Sequence, residues 1–131
     1  MAHNKLFHFA EHNITHLKII VILLTMYKIA VYIPDHSLEK VKQAMFDQGA
    51  GQLGNYKHCC WQVLGQGQFY SLPNSNPVIG QKGRLETVDE YLVEMVCDDK
   101  VIKSVIKALK QAHPYEEPAY SVYRLEDINI N

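Results

Sequence analysis

The order of hydrophobic periodicities along the chain restricts its fold more than any single motif does. Tyr27 to Ile33 alternates with period two, placing Tyr27, Ile29, Val31 and Ile33 on one face of a strand. Pro34-Asp35-His36-Ser37 reads as a turn, with Ser37 as N-cap and Glu39 in the first turn of a helix. Leu38, Val41, Met45 and Gln48, with Ala44 beside them, follow a 3.6-residue stripe that Gly49 and Gly51 end. Gly54-Asn55-Tyr56 is a turn into a second strand, from Tyr56 to Leu64, and Gly65-Gln66-Gly67 reads as a bulge or bend. Tyr70 to Gly83 holds Pro73, Pro77, Gly80, Gly83, Asn74 and Asn76, the composition of a long hairpin loop. Arg84 to Cys97 is a third strand, rich in Val, Leu, Tyr and Thr.

Asp98 or Asp99 is the expected cap of a second helix. Its stripe is Val101, Ile102, Val105, Ile106, Leu109 and Ala112. Lys100, Lys103, Lys107 and Lys110 fall mostly on its solvated side. Pro114 stops that helix, because a proline disfavours helical geometry in the residue before it. Tyr120 to Leu125 is the last strand. The order is β-α-β-β-α-β, an α+β ferredoxin-like sandwich with a long hairpin between its second and third strands. In that topology Asp35, His36, the 65–83 hairpin and His113 to Pro118 share one end of the sheet. The Gly54-Asn55-Tyr56 turn lies at the other. Helices cover one sheet face. The second face, bearing Tyr and Val, is expensive to leave in water, so a homo-oligomer is expected.

The 131 residues suit one domain, expected over residues 26–131. Residues 1–25 are expected to be an extension or the product of an upstream start. Their apolar run, Ile19 to Leu24, is too short for a membrane span, which takes about 20 residues. His8, His12 and His16 would stack on one face of a helix, more readily as a polar face than as a metal site. A net charge of −1 argues against a general nucleic-acid binder. Cys59, Cys60 and Cys97 make a poor disulfide framework and suit reduced thiols in the cytoplasm.

His113-Pro114-Tyr115-Glu116-Glu117-Pro118 is the most informative stretch. Two prolines fix its backbone. Its imidazole, phenol and carboxylates are groups that bind a divalent metal or a ligand, or do acid–base work. The structural alternative is the expected one: His113 donates to a carbonyl left by the last helical turn, and Glu116 accepts from backbone N–H groups at the start of the next strand. In Gly54-Asn55-Tyr56-x-x-Cys59 the Gly and Asn suit a tight turn. Cys59 there is read as a buried structural cysteine before a nucleophile.

The segments GNYKHCCW (54–61), GQGQFYSLP (65–73), GQKGRLE (80–86) and HPYEEPAYSVYRL (113–125) resemble the module inserted in YqfO-type members of the NIF-three (NGG-interacting factor) family. The resemblance covers roughly residues 26–127 and implies a fold similar to CutA and PII proteins, whose relatives form trimers. Ser121 stands where the family pattern has Asp, so no role passes to it from that carboxylate. The family's dinuclear metal domain is not within these residues, so hydrolase labels do not transfer with the resemblance. The expected function is a non-catalytic oligomeric binding or regulatory module, with His113, Tyr115, Glu116, Glu117 and His36 as ligand-binding candidates. Gly54, Asn55, Tyr56, Cys59, Pro114 and Pro118 are read as a structural motif. One alternative is a CutA-type divalent-metal binder through His113 and Glu116. The other is a small hydrolase using Cys59 or the carboxylates at 116 and 117.

Overall fold

The computed structural model describes residues 25–128; the histidine row and apolar run before Thr25 lie outside them. Four strands form one antiparallel sheet. They are β1 (Met26–Pro34), β2 (Trp61–Tyr70), β3 (Leu85–Asp98) and β4 (Tyr120–Leu125), in spatial order β2-β3-β1-β4. Two helices, α1 (Leu38–Asp47) and α2 (Ile102–Ala112), supply the second layer. This is the α+β ferredoxin-like arrangement expected from the periodicities.

The register explains the core. Ile29 pairs with Met95 and Val31 with Val93, so odd-numbered residues of both central strands share a face. Ile29, Val31, Ile33, Val93, Met95 and Cys97 are all buried there, beneath Leu38, Val41 and Met45 of α1 and Val105 and Leu109 of α2. Each fully buried Ile, Leu, Val or Met stabilises the fold by about 1.5–3 kcal/mol relative to an exposed position.

The helix ends depart from expectation in three places. Ser37 occupies the N-cap position of α1, but its side chain makes no capping bond and is buried. Gln48 is exposed, because α1 ends at Asp47 and the chain leaves the stripe. Phe46 is buried in its stead, stacked on the His58 ring at 4.9 Å. Neither Asp98 nor Asp99 caps α2, whose N-cap is Val101. Asp98 Oδ1 instead accepts from the Lys100 backbone N–H, in the turn ahead of the helix.

The second strand differs most. It begins at Trp61, not Tyr56, and continues through both glycines to Tyr70. Gly65 pairs with Glu90 and Gly67 with Val88 in unbroken register, so no bulge forms. Residues 51–60 are held elsewhere. Leu53 and Tyr56 exchange backbone hydrogen bonds, and the Cys59 N–H donates to the Gly51 carbonyl. Gly51 has φ +77°, and a Cβ on it would lie 2.8 Å from the Cys59 carbonyl oxygen. The expected tight turn is thus present. Cys59 is half-buried rather than buried, Cys60 is exposed and Cys97 is buried; all three are free thiols.

On the other sheet face, the even-numbered residues of β1 and β3 meet Trp61 and Val63 of β2 and Tyr123 of β4. Tyr32, Trp61, Val63 and Tyr123 are exposed, Trp61 by 68%. Among the described residues, no helix is long and apolar enough to cross a membrane.

Candidate functional site

The α2–β4 connection and the β2–β3 hairpin meet at one end of the sheet, as the topology requires. Pro114 holds His113 extended, at φ −69° and ψ 136°, so the chain turns sharply off α2. That turn carries the imidazole back to β1. His113 Nε2 lies 2.7 Å from the Tyr32 carbonyl oxygen, and the Tyr115 backbone N–H donates to Nδ1 at 3.1 Å. These partners place the proton on Nε2. The ring is buried and neutral, and burial pushes its pKa below the ordinary value against the opposing pull of the Tyr32 carbonyl and Glu90. The bond goes to β1, not to the last turn of the helix as the sequence suggested.

Tyr115 packs against the His113 ring at 4.9 Å. Its Oη is buried, with the Glu90 carboxylate as its polar neighbour. Burial raises the phenol pKa, and Glu90 raises it further, by its charge and by hydrogen bonding to the hydroxyl. Glu116 Oε2 accepts from the Asn76 backbone N–H at 3.0 Å, in the hairpin loop and not at the start of β4.

Between these walls is a cleft of about 540 Å³. Its apolar lining includes Phe69, Tyr70, Leu72, Val78 and Ile79 from β2 and the hairpin. Its acids are Glu90, Glu116 and Glu117. Of the residues singled out from sequence, Tyr115, Glu116 and Glu117 line the cleft. His113 stands behind Tyr115, outside the lining, and His36 is exposed on the Asp35–Ser37 turn, also outside it. Gly54, Asn55, Tyr56 and Cys59 belong to the α1–β2 connection, tied to the far end by the Gly51 N–H donating to the Val96 carbonyl. Pro114 and Pro118 bracket the turn that forms one wall.

Sequence reasoning missed Glu90, and its signal was Gly67. A Cβ at Gly67 would collide with the Glu90 carboxylate, which occupies the space a side chain would fill. A glycine inside a strand marks either a bulge or the close approach of another group, and here it is the second.

The residues do not fit a CutA-type metal site. Both ring nitrogens of His113 are engaged, and Glu116 is bonded to the hairpin. Among the described residues, no three His, Cys, Asp or Glu side chains converge on a point.

No protein-family model matches the chain. Proteins called GTP cyclohydrolase 1 type 2 homolog are its relatives. That from Listeria monocytogenes is 45% identical over 100 residues, covering 76% of this chain and 27% of the relative. That from Mycobacterium tuberculosis is 42% identical over 98 residues, covering 75% and 26%. A Bacillus cereus protein related to NIF3 superposes with a TM-score of 0.65 at 40% identity, over 79% of this chain and 26% of that one. The chain is homologous to the YqfO-like module of the NIF3 family. It spans about a quarter of the length of the curated relatives it matches.

The chain also shares its fold with smaller proteins. CutA from Archaeoglobus fulgidus gives a TM-score of 0.57 at 14% identity, over 80% of this chain and 88% of that one. Bacillus subtilis GlnK, solved as an ATP complex, gives 0.52 at 16%, over 81% and 89%. These likenesses concern the fold alone.

Proposed function

We propose that this chain is a non-catalytic binding or regulatory module that works as a homo-oligomer, most simply a trimer, and takes a ligand in the cleft between the hairpin and the His113–Pro118 turn. The observation that carries the reading is the use made of His113. The side chain best suited to proton transfer is consumed in holding one wall of an apolar cleft. A group with both nitrogens occupied and its pKa lowered by burial serves architecture better than acid–base work. The exposed apolar sheet face supports self-association, since Trp61, Val63, Tyr32 and Tyr123 are exposed on the face that neither described helix covers. Three free thiols support a reducing compartment, the cytoplasm.

Multi-angle light scattering at micromolar concentration is the first test, with a trimer expected. Val63→Asp, which puts a charge on the open face, should dissociate it to folded monomers. A wild-type monomer would remove the oligomeric part of the proposal. Incubation with GTP, suggested by the name of the longer relatives, should leave the nucleotide intact. Turnover that Tyr115→Phe or Glu117→Gln abolishes would replace the binding reading with an enzymatic one.

A further inference from the structure

We infer that Lys28 and Glu94 direct how copies of this chain meet: on self-association, Lys28 of one copy pairs with Glu94 of the next. The inference rests on the homo-oligomer reading and names the residues that give the contact its register.

The strand register shows where the two charges stand. On the open face Trp61 of β2 lies across from Glu94 of β3, and Tyr123 of β4 lies across from Lys28 of β1. In the spatial order β2-β3-β1-β4 the face therefore reads aromatic, acid, base, aromatic. Ala30 pairs with Glu94 and Val96 with Lys28, while Val63, Leu92 and Tyr32 occupy the next row. Across these rows Lys28 and Glu94 are the charged side chains, in a field otherwise of apolar and aromatic groups and Ser121. Within one copy Lys28 Nζ and Glu94 Oε2 are 3.6 Å apart, and the side chains are 42% and 33% exposed. A close charge-assisted hydrogen bond measures about 2.7–2.9 Å, so the pair is loose and each charge has room for a second partner.

Whatever covers this face must answer one positive and one negative charge. A second copy does so by charge complementarity. It brings its acid on the β2–β3 half and its base on the β1–β4 half, so a head-to-tail contact sets Lys28 and Tyr123 of one copy against Trp61 and Glu94 of the next. Head-to-tail contacts close into rings, as a trimer requires. A partner of single charge would be repelled by one member of the pair, and an apolar one would answer neither. While exposed, such a pair adds little to the stability of a single copy. Once covered, each charge is desolvated, and a contact out of register leaves it buried without its opposite. The exposed rings of Trp61 and Tyr123 stand outside the charges and supply apolar area that shuts out water.

The test exchanges the charges in the full chain. Lys28→Glu and Glu94→Lys should each stay folded by circular dichroism and weaken self-association by at least about thirtyfold in light scattering, the scale of disrupting one buried interfacial charge pair. The double variant Lys28→Glu/Glu94→Lys should assemble as wild type does. Native mass spectrometry of that double variant mixed with isotope-labelled wild type should show two separate populations, because every mixed junction sets like charge against like. Should one reversal fail to fold, the other and the double variant decide. Free co-assembly of the double variant with wild type would place the pairing within each copy and overturn the inference, as would single reversals that assemble at wild-type concentrations. Either result leaves the homo-oligomer standing. A monomeric wild type would overturn both.

Discussion

The imidazole of His113 donates from Nε2 to the main-chain oxygen of Tyr32, 2.7 Å away, and takes the place of a strand partner. The β1–β4 ladder ends at the Val31–Tyr120 pair, with one further bond from the Tyr32 N–H to the Ala119 carbonyl. Beyond it the chain turns away toward α2, and the Tyr32 carbonyl is met by a side chain. The cleft wall and the sheet edge are thus joined through one ring.

His113→Ala should therefore lower stability by about 1–3 kcal/mol, the cost of leaving a buried acceptor unpaired. The pH dependence has a definite sign. The folded-state pKa of His113 lies below the unfolded value of 6.5. Below that pH the unfolded chain binds the proton more readily, so stability falls as pH drops from 6.5 toward the folded pKa. Above it both states are neutral and the contribution is constant. Urea midpoints for wild type and His113→Gln between pH 7.5 and 5 check this, with a shallower decline expected in the variant. Parallel curves would assign the decline to other groups.

Glu116 should matter less to stability and more to the hairpin. It is exposed, and its bond to the Asn76 N–H spans the mouth of the cleft. Glu116→Ala should cost no more than about 1 kcal/mol, an ordinary net hydrogen bond. Amide exchange at Asn76 should quicken, while β1 and β3 amides keep their protection. Unchanged exchange at Asn76 would mean that the hairpin is held by its apolar contacts alone.

The three thiols should react in a fixed order. Cys60 is exposed, Cys59 half-buried and Cys97 buried, and burial pushes the Cys97 thiol up to about 11, aided by Asp98. The thiolate is the reactive form. At pH 8 iodoacetamide should label Cys60 first, Cys59 more slowly, and Cys97 only after denaturant is added. Mass spectrometry of timed digests gives the order. Prompt labelling of Cys97 in the native protein would show that the core beside β3 opens readily.

The fold was legible because its signals are local. The period-two run at 27–33 and the stripe from Val101 to Ala112 set strand and helix without knowledge of the partners. The second strand was not legible in the same way. Gly65 and Gly67 carry no pattern of their own, and what keeps them extended is pairing with Glu90 and Val88 across the ladder, contacts distant in sequence. The site divided along the same line. Tyr115, Glu116 and Glu117 stand in one proline-bracketed run and were visible. Glu90 and the hairpin's apolar wall became part of the site only through pairing. His36 was misplaced for the converse reason: topology puts its turn at the correct end of the sheet, but an end of a sheet is wider than a cleft.

Gly67→Ala offers a direct test of how Glu90 is held. An added Cβ cannot coexist with the present position of the carboxylate. What it meets is the far end of a flexible side chain, which can rotate away with little disturbance of the backbone. Alanine is also favoured over glycine within a strand by about 0.5–1 kcal/mol, through lower entropy in the unfolded chain. The two effects oppose each other, so Gly67→Ala should fold with a stability within about 1 kcal/mol of wild type. The carboxylate should move, and with it the charge that raises the Tyr115 phenol pKa. Carboxyl carbon shifts of Glu90 and the titration of Tyr115 by NMR are the readouts, with Tyr115 expected to fall toward the ordinary tyrosine value. In the double variant Gly67→Ala/Glu90→Ala the alanine at 67 should have no effect on Tyr115, because the group it displaces is gone. A loss above about 2 kcal/mol in the single variant, restored in the double, would show instead that Glu90 is fixed in place and that the strand yields before it does.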